Sequence, residues 1–169
     1  MLQDTQRARP TITADGEMIR ENVIDGMRFK EIRNVVARNG VVTELWRPEW
    51  WGEDTQPRHV VYATLAAFSE TNWHCHGKQN DLIFVVRGLI KLAFYDGRED
   101  SPTFKTLNVI PFSAARPTLI YVPNGIWHAL KNLDGSESAY VTMNNQAFIY
   151  DEPDDYKRPP GDTALPRPF

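Results

Sequence analysis

An all-β fold, a sandwich or a barrel, is what this sequence predicts, and three observations carry it. Short runs rich in Val, Ile, Tyr, Phe and Thr recur between about residues 29 and 149. Turn signals punctuate them: Asn39-Gly40, Asp96-Gly97, Asn124-Gly125 and Asp134-Gly135 supply the positive φ that tight turns demand. No long helical periodicity is present before residue 150.

Taken in order, residues 1–26 are polar and mixed and form an N-terminal arm. The barrel is expected over 27–150. Its candidate strands are 35–46, 59–68, 82–95, 118–122 and 139–149, the first split into a hairpin by Asn39-Gly40. The tail, 151–169, holds Pro153, Pro159, Pro160, Pro166 and Pro168 among Asp151, Glu152, Asp154 and Asp155. Prolines at that density disfavour helix interiors and central strands. The tail is expected either to wrap the barrel surface or to be partly mobile, with 154–156 capping one helical turn.

At 169 residues the chain fits one domain with a real core. A net charge of −3 gives no electrostatic footprint for nucleic acid or an anionic membrane. No apolar stretch approaches a bilayer span, and the N-terminus lacks the apolar segment of a secretory signal. The single Cys75 forms no internal disulfide, so a cytoplasmic location is expected.

Two segments, 73–88 and 122–132, point to one metal site. On a strand, His74 and His76 face one way and Cys75 the other. Cys75 is therefore expected as a packing thiol rather than a ligand. Asp81 opens the apolar run after a short turn, and His128 follows a Pro-x-Gly turn that returns a distant strand. Each residue alone reads as ordinary polar surface or turn. Together, three imidazoles and one carboxylate suit one divalent transition metal, whether Fe, Mn, Ni, Cu or Zn.

The spacing resembles the two signature motifs of the cupin superfamily: His74, His76, Asp81 and Gly88 in the first, Pro123, Gly125, His128 and Asn132 in the second. That resemblance implies a double-stranded β-helix, a small jelly-roll barrel with a metal near one open end. A narrower likeness rests on residues 96–104, with Asp96, Arg98 and Ser101-Pro102-Thr103-Phe104, which resemble a stretch of the dTDP-4-dehydrorhamnose 3,5-epimerases. Gln79, Leu82 and Gly88 fall in register, and the match runs over roughly 71–132. The Ser-Pro-Thr-Phe element is expected to be structural, its hydroxyls bonding the turn backbone.

The resemblance implies that His74 is the catalytic base and that the proton-donating tyrosine falls near Tyr140 or Val141. The departures bear on mechanism. The family's glutamine is His76 here, its enolate-stabilising lysine is Asp81, and its phosphate-binding arginine is Thr71. A metal held by His74, His76, Asp81 and His128 is expected to replace that charge set as a Lewis acid.

Trp73 and Trp127 flank proposed ligands; they are either packing residues or a stacking platform for substrate, with Gln79 and Arg58 as further substrate contacts. Trp50-Trp51 sit in a loop that forms an interface or a lid. His59 is expected to have no ligand role. The expected activity is epimerisation or isomerisation of a small, carbohydrate-like carbonyl substrate by a metal-dependent cupin. Its rivals are a cupin oxygenase or C–C-cleaving enzyme and a non-catalytic sugar- or metabolite-binding cupin. A homodimer is expected, because edge strands need covering.

Overall fold

The architecture follows from strands whose two faces are both covered. The computed structural model describes residues 5–159 and 161–169; Met1 to Asp4 of the arm and Pro160 of the tail lie outside the described residues. The chain forms β1 (Arg28–Glu31), β2 (Val35–Ala37), β3 (Gly40–Val42), α1 (Pro48–Trp51), β4 (His59–Leu65), β5 (His74–Cys75), β6 (Asp81–Arg87), β7 (Leu89–Asp96), β8 (Leu107–Ser113), β9 (Thr118–Val122), β10 (Ile126–Asn132), β11 (Ser138–Asn144) and β12 (Tyr156–Lys157). One five-stranded sheet runs β1-β9-β6-β11-β4, a second β12-β5-β10-β7-β8, and β2-β3 is a separate hairpin. Every pairing is antiparallel. The expected all-β jelly-roll barrel is what forms.

The main core lies between the sheets, built on Ile83, Val85, Leu92, Phe94, Ile120 and Leu130. Ile24 and Met27 join it, so packed structure begins before residue 27. The outer face of the first sheet is covered too: Leu82, Phe84, Leu119 and Tyr121 pack under Trp51, with Trp46 and Trp50 alongside. Trp51 stacks on Tyr121, and the Arg28 guanidinium lies over both rings. The Trp50-Trp51 segment is thus a cover for this outer face, away from the histidines. Burial on both faces explains why β6 and β9 read as continuous apolar runs rather than alternating ones.

Several sequence expectations change, and β1 and β10 were not among the candidate strands. The run 82–95 is two strands, because Gly88 turns the chain at φ 83°. β8 was not expected; it carries Pro111 and lies at a sheet edge, where a missing N–H is tolerated. The tail forms no helical turn at 154–156. It adds β12 beside β5, with Tyr156 opposite Cys75 and Lys157 opposite His74. Farther along, the Trp73 indole N–H donates to the Pro166 carbonyl at 2.8 Å, and Leu165 and Phe169 pack on the outer face of the second sheet. The described tail is therefore docked.

The Ser-Pro-Thr-Phe turn serves one carboxylate. Asp96 is fully buried and accepts from Arg98 N and Nε on Oδ1, and from Arg98 Nη2, Ser101 Oγ and Thr103 Oγ1 on Oδ2. The hydroxyls bond mainly this side chain rather than the turn backbone. No helix among the described residues is long and apolar enough to cross a membrane.

Candidate active site

A cavity of about 320 Å³ opens between the sheets at one end of the barrel. Strand alternation and register fill it. His59, Val61 and Ala63 of β4, Asp81 and Ile83 of β6, and Tyr140, Thr142 and Asn144 of β11 line one side. His74 and His76 from the β5 segment, and His128 and Leu130 of β10, line the other. Register sets two rows: His59, Asn144 and Asp81 lie side by side on one sheet, and His74 lies opposite His128 on the other.

The three histidines converge. Their ligating nitrogens all lie within 4.8 Å of one another, and the His74 and His128 rings are 3.9 Å apart at their centroids. Asp81 Oδ2 is 3.3 Å from Nε2 of both His76 and His128. Gln79 Nε2 donates to Asp81 Oδ1 at 2.7 Å. The outward nitrogens are anchored on backbone: His128 Nδ1 donates to the Ile126 carbonyl at 3.0 Å, and His76 Nδ1 to the carbonyl of Asp154. Both rings thus turn Nε2 toward the Asp81 carboxylate, an arrangement that calls for a positive charge, a proton or a cation, between them.

Electrostatics separate the groups. Burial holds His74 well below its usual value, and the nearby His128 and His76 push it the same way. Burial acts downward on His76 as well, but the hydrogen bond and charge of Asp81 and the Asp154 carbonyl outweigh it and raise it to about 9. Burial would raise Asp81; its bonds to His128 and His76 instead hold it far below the carboxylate range. The metal-free site is therefore a neutral His74 beside a His76–Asp81 ion pair. Tyr140 is raised by burial, so its hydroxyl keeps its proton.

The structure brings His74, His76, Gln79, Asp81, His128 and Tyr140 to this cavity. It does not bring Trp73, Trp127 or Arg58 there. Trp73 and Trp127 belong to the outer-face cluster with Ala93, Tyr95 and Ala129, and the Arg158 guanidinium covers Trp127 at 5.0 Å. Arg58 is exposed outside the cavity. The reason is alternation: each neighbours an inward residue and so points outward. Cys75 does the same; burial raises its thiol to about 11. The sequence reading missed His59, Asn144 and Asp154. For His59 a signal existed, since His59, Val61, Ala63 and Leu65 share the inward phase of β4.

The family dTDP-4-dehydrorhamnose 3,5-epimerase matches residues 22–158. The chain belongs to that family. Among curated relatives, a probable low-salt glycan biosynthesis epimerase of Haloferax volcanii is 24% identical over 137 residues, 80% of this chain and 88% of that one. A spore coat polysaccharide biosynthesis protein of Bacillus subtilis is 28% identical over 148 residues, 85% and 94% respectively. A solved dTDP sugar isomerase from Desulfovibrio desulfuricans superposes with a TM-score of 0.74 at 19% identity, covering 82% of this chain and 87% of its own. A 3'-monoepimerase from Streptomyces bikiniensis, in complex with dTDP-quinovose, gives 0.71 at 22% identity, covering 81% and 71%. Membership favours an epimerase over the oxygenase, C–C-cleaving and non-catalytic alternatives.

Proposed function

We propose that this chain epimerises a nucleotide-linked keto sugar, with His74 as base and Tyr140 as acid. The observation that carries the reading is a histidine and a tyrosine lining one cavity, the first held below its usual value and the second above its own by burial. His74 takes the proton from the carbon next to the carbonyl, and the C–H electron pair moves onto the carbonyl oxygen as an enolate. Tyr140 returns a proton to the opposite face of that carbon, the carbonyl re-forms, and the centre is inverted. Solvent then restores both groups. The enolate needs a positive partner. Where the family places a lysine this chain has Asp81, and the charge sits next to it on His76, held protonated by Asp81 and the Asp154 carbonyl. Epimerases of this kind need no metal.

One observation favours a second source of that charge. The donor set of His74, His76 and His128 within 4.8 Å, with Asp81 beside them, fits a divalent transition metal. When bound there, such an ion supplies Lewis-acid polarisation of the carbonyl. Tyr140 and Gln79 keep their positions in either case. A homodimer belongs to the same reading, because Val35, Val36, Val41 and Val42 of the β2-β3 hairpin are 56–83% exposed, an apolar surface that a second copy would cover.

The test is deuterium exchange into a dTDP-4-dehydro-6-deoxyhexose, followed by NMR in D₂O before and after chelation, with elemental analysis alongside. Exchange that survives chelation supports the proton reading. Exchange lost on chelation and restored by one equivalent of metal supports the metal reading. No exchange in any state sinks both.

A further inference from the structure

Three polar atoms at the cavity are left over by everything described so far, of which Asp155 Oδ1 belongs to a carboxylate already paired with Lys157 through its other oxygen. His59 Nδ1 and Asn144 Oδ1 are buried and make no hydrogen bond among the described residues. Asn144 as a whole is 7% exposed. The two residues are register partners across β4 and β11, and both line the cavity. Phe148 lies against the His59 ring, with centroids 6.4 Å apart, and closes that end of the row. A buried polar atom without a partner is destabilising, and native structures keep few of them. A pair of them, on adjacent residues that line a cavity, is the pattern of a site that completes its hydrogen bonds with a ligand.

Distance and charge define the ligand group. His59 stands two strands from Asp81 along the same row, roughly 10 Å at the usual strand spacing. That span lets a hexose ring reach from the histidine cluster to this pair. The charged residues lining the cavity are Lys78, Asp81, Glu152, Asp154 and Asp155, with His76 carrying the proton of its pair with Asp81. Asp81 is tied to the histidines, Asp154 to the backbone N–H groups of 77–79, and Asp155 to Lys157 at 2.9 Å. Glu152 and Lys78 are exposed. The lining thus carries more carboxylate than cation, which disfavours a phosphate at this pair and is indifferent to a neutral hydroxyl.

Building on the reading of the cavity as a nucleotide-sugar site, we propose that His59 and Asn144 form a hydroxyl-reading subsite. Asn144 Oδ1 accepts from a sugar O–H, and His59 Nδ1 bonds the same or the adjacent hydroxyl as its tautomer dictates. The pair would set which hydroxyl pattern, remote from the reacting carbon, the site admits.

The experiment is calorimetric titration of dTDP and of dTDP-glucose into the unaltered protein, His59→Phe and Asn144→Leu, with thermal melts of all three. The expected result is tighter binding of dTDP-glucose than of dTDP by the unaltered protein. Each variant should lose about ten-fold in dTDP-glucose affinity and keep its dTDP affinity. Melting temperatures should hold or rise, because each change removes an atom that bonds nothing in the protein. A fall in melting temperature would assign the pair a structural role and overturn the proposal. Equal losses for both probes would overturn it too, moving the pair to the nucleotide. Binding of dTDP with no gain from the hexose sinks the subsite and leaves the nucleotide reading standing; binding of neither probe sinks both.

Discussion

Asp154 grips His76 and the turn that follows it from 78 residues along the chain. Its carbonyl accepts from His76 Nδ1, and its carboxylate accepts from the backbone N–H of Gly77, Lys78 and Gln79 at 2.9, 2.8 and 2.8 Å. Those three N–H groups hold the Asp154 carboxyl below its usual value against the opposing effect of burial. One tail residue thereby orients an imidazole of the candidate site, and two residues later the chain pairs with β5 as β12.

Asp154→Ala should therefore impair both function and stability. The substitution keeps the backbone carbonyl that His76 bonds but removes the carboxylate that fixes this segment to the N–H groups of 77–79, so the loss of activity should reach at most the ~10–100-fold typical of a partner that orients a site histidine. Bonds to a charged acceptor at a partly buried position put the stability loss at about 2 kcal/mol. Asp154→Asn keeps the shape and one acceptor oxygen, so it should fall between the two. Steady-state turnover and thermal melts check this; undiminished turnover in Asp154→Ala would show that the carboxylate is not needed to hold the carbonyl against His76.

Tyr140→Phe and His74→Asn separate the two proton transfers. With the base removed, exchange of substrate protons with D₂O and product formation should both disappear. With the acid removed, exchange should persist while product falls by ~10²–10⁴-fold, the usual worth of a placed acid. Tyr140 packs against the main core through its ring, so Tyr140→Phe should fold normally. Loss of exchange in Tyr140→Phe with exchange kept in His74→Asn would reverse the roles assigned here.

Asp96 gives the fold its clearest pH signature. Burial would raise its carboxyl, but Arg98, Ser101 and Thr103 outweigh burial and hold it far below the carboxylate range. A carboxylate whose folded pKa is depressed stabilises the fold above its unfolded value near 4, and that contribution is lost as pH falls toward the folded value. Asp96→Asn should cost about 3 kcal/mol at pH 7, since it leaves a part-buried guanidinium without its charge partner. The gap in melting temperature between the two proteins should narrow steadily below pH 4. A gap that stays constant down to pH 2 would show that the carboxylate is not the source.

How much of this was legible in the sequence depended on range. The convergence of His74, His76, Asp81 and His128 was readable because strand alternation and a turn are local rules. The same alternation, applied one residue further, places Trp73, Trp127 and Arg58 on outer faces; adjacency in sequence to an inward residue on a strand is opposition in space. The role of Asp154 was not readable. It rests on a backbone carbonyl and a three-N–H nest joined across more than 70 residues, inside a segment whose prolines suggested only a surface wrap. β10 escaped because His128, Lys131 and Asn132 break the apolar pattern that marks its neighbours.

Asn132 and Gly88, the outer ends of the two motifs, meet in a structural network that yields the last prediction. Asn132 is fully buried; its amide donates to the carbonyls of Leu65, Ala66 and Ser136, and its Oδ1 accepts from Ser138 Oγ at 2.7 Å. Gly88 sits directly over that serine. A Cβ added at Gly88 would lie 2.1 Å from Ser138 Oγ and 2.8 Å from Asp134 Oδ2, which itself holds the Leu89 N–H. Gly88→Ala thus combines a left-handed φ with displacement of Ser138 from Asn132. The first costs roughly 1 kcal/mol and the second about 2 kcal/mol, so about 3 kcal/mol in all, or a fall of about 8 °C in melting temperature. Gly26 is the control. Its φ is 81°, and an added Cβ would meet nothing closer than Pro123 at 3.4 Å, so Gly26→Ala should show the backbone cost alone, about 1 kcal/mol. Melts of the two variants side by side decide the matter: equal losses would mean that the contact with Ser138 relaxes freely and that the network does not hold the β6-β7 turn in place.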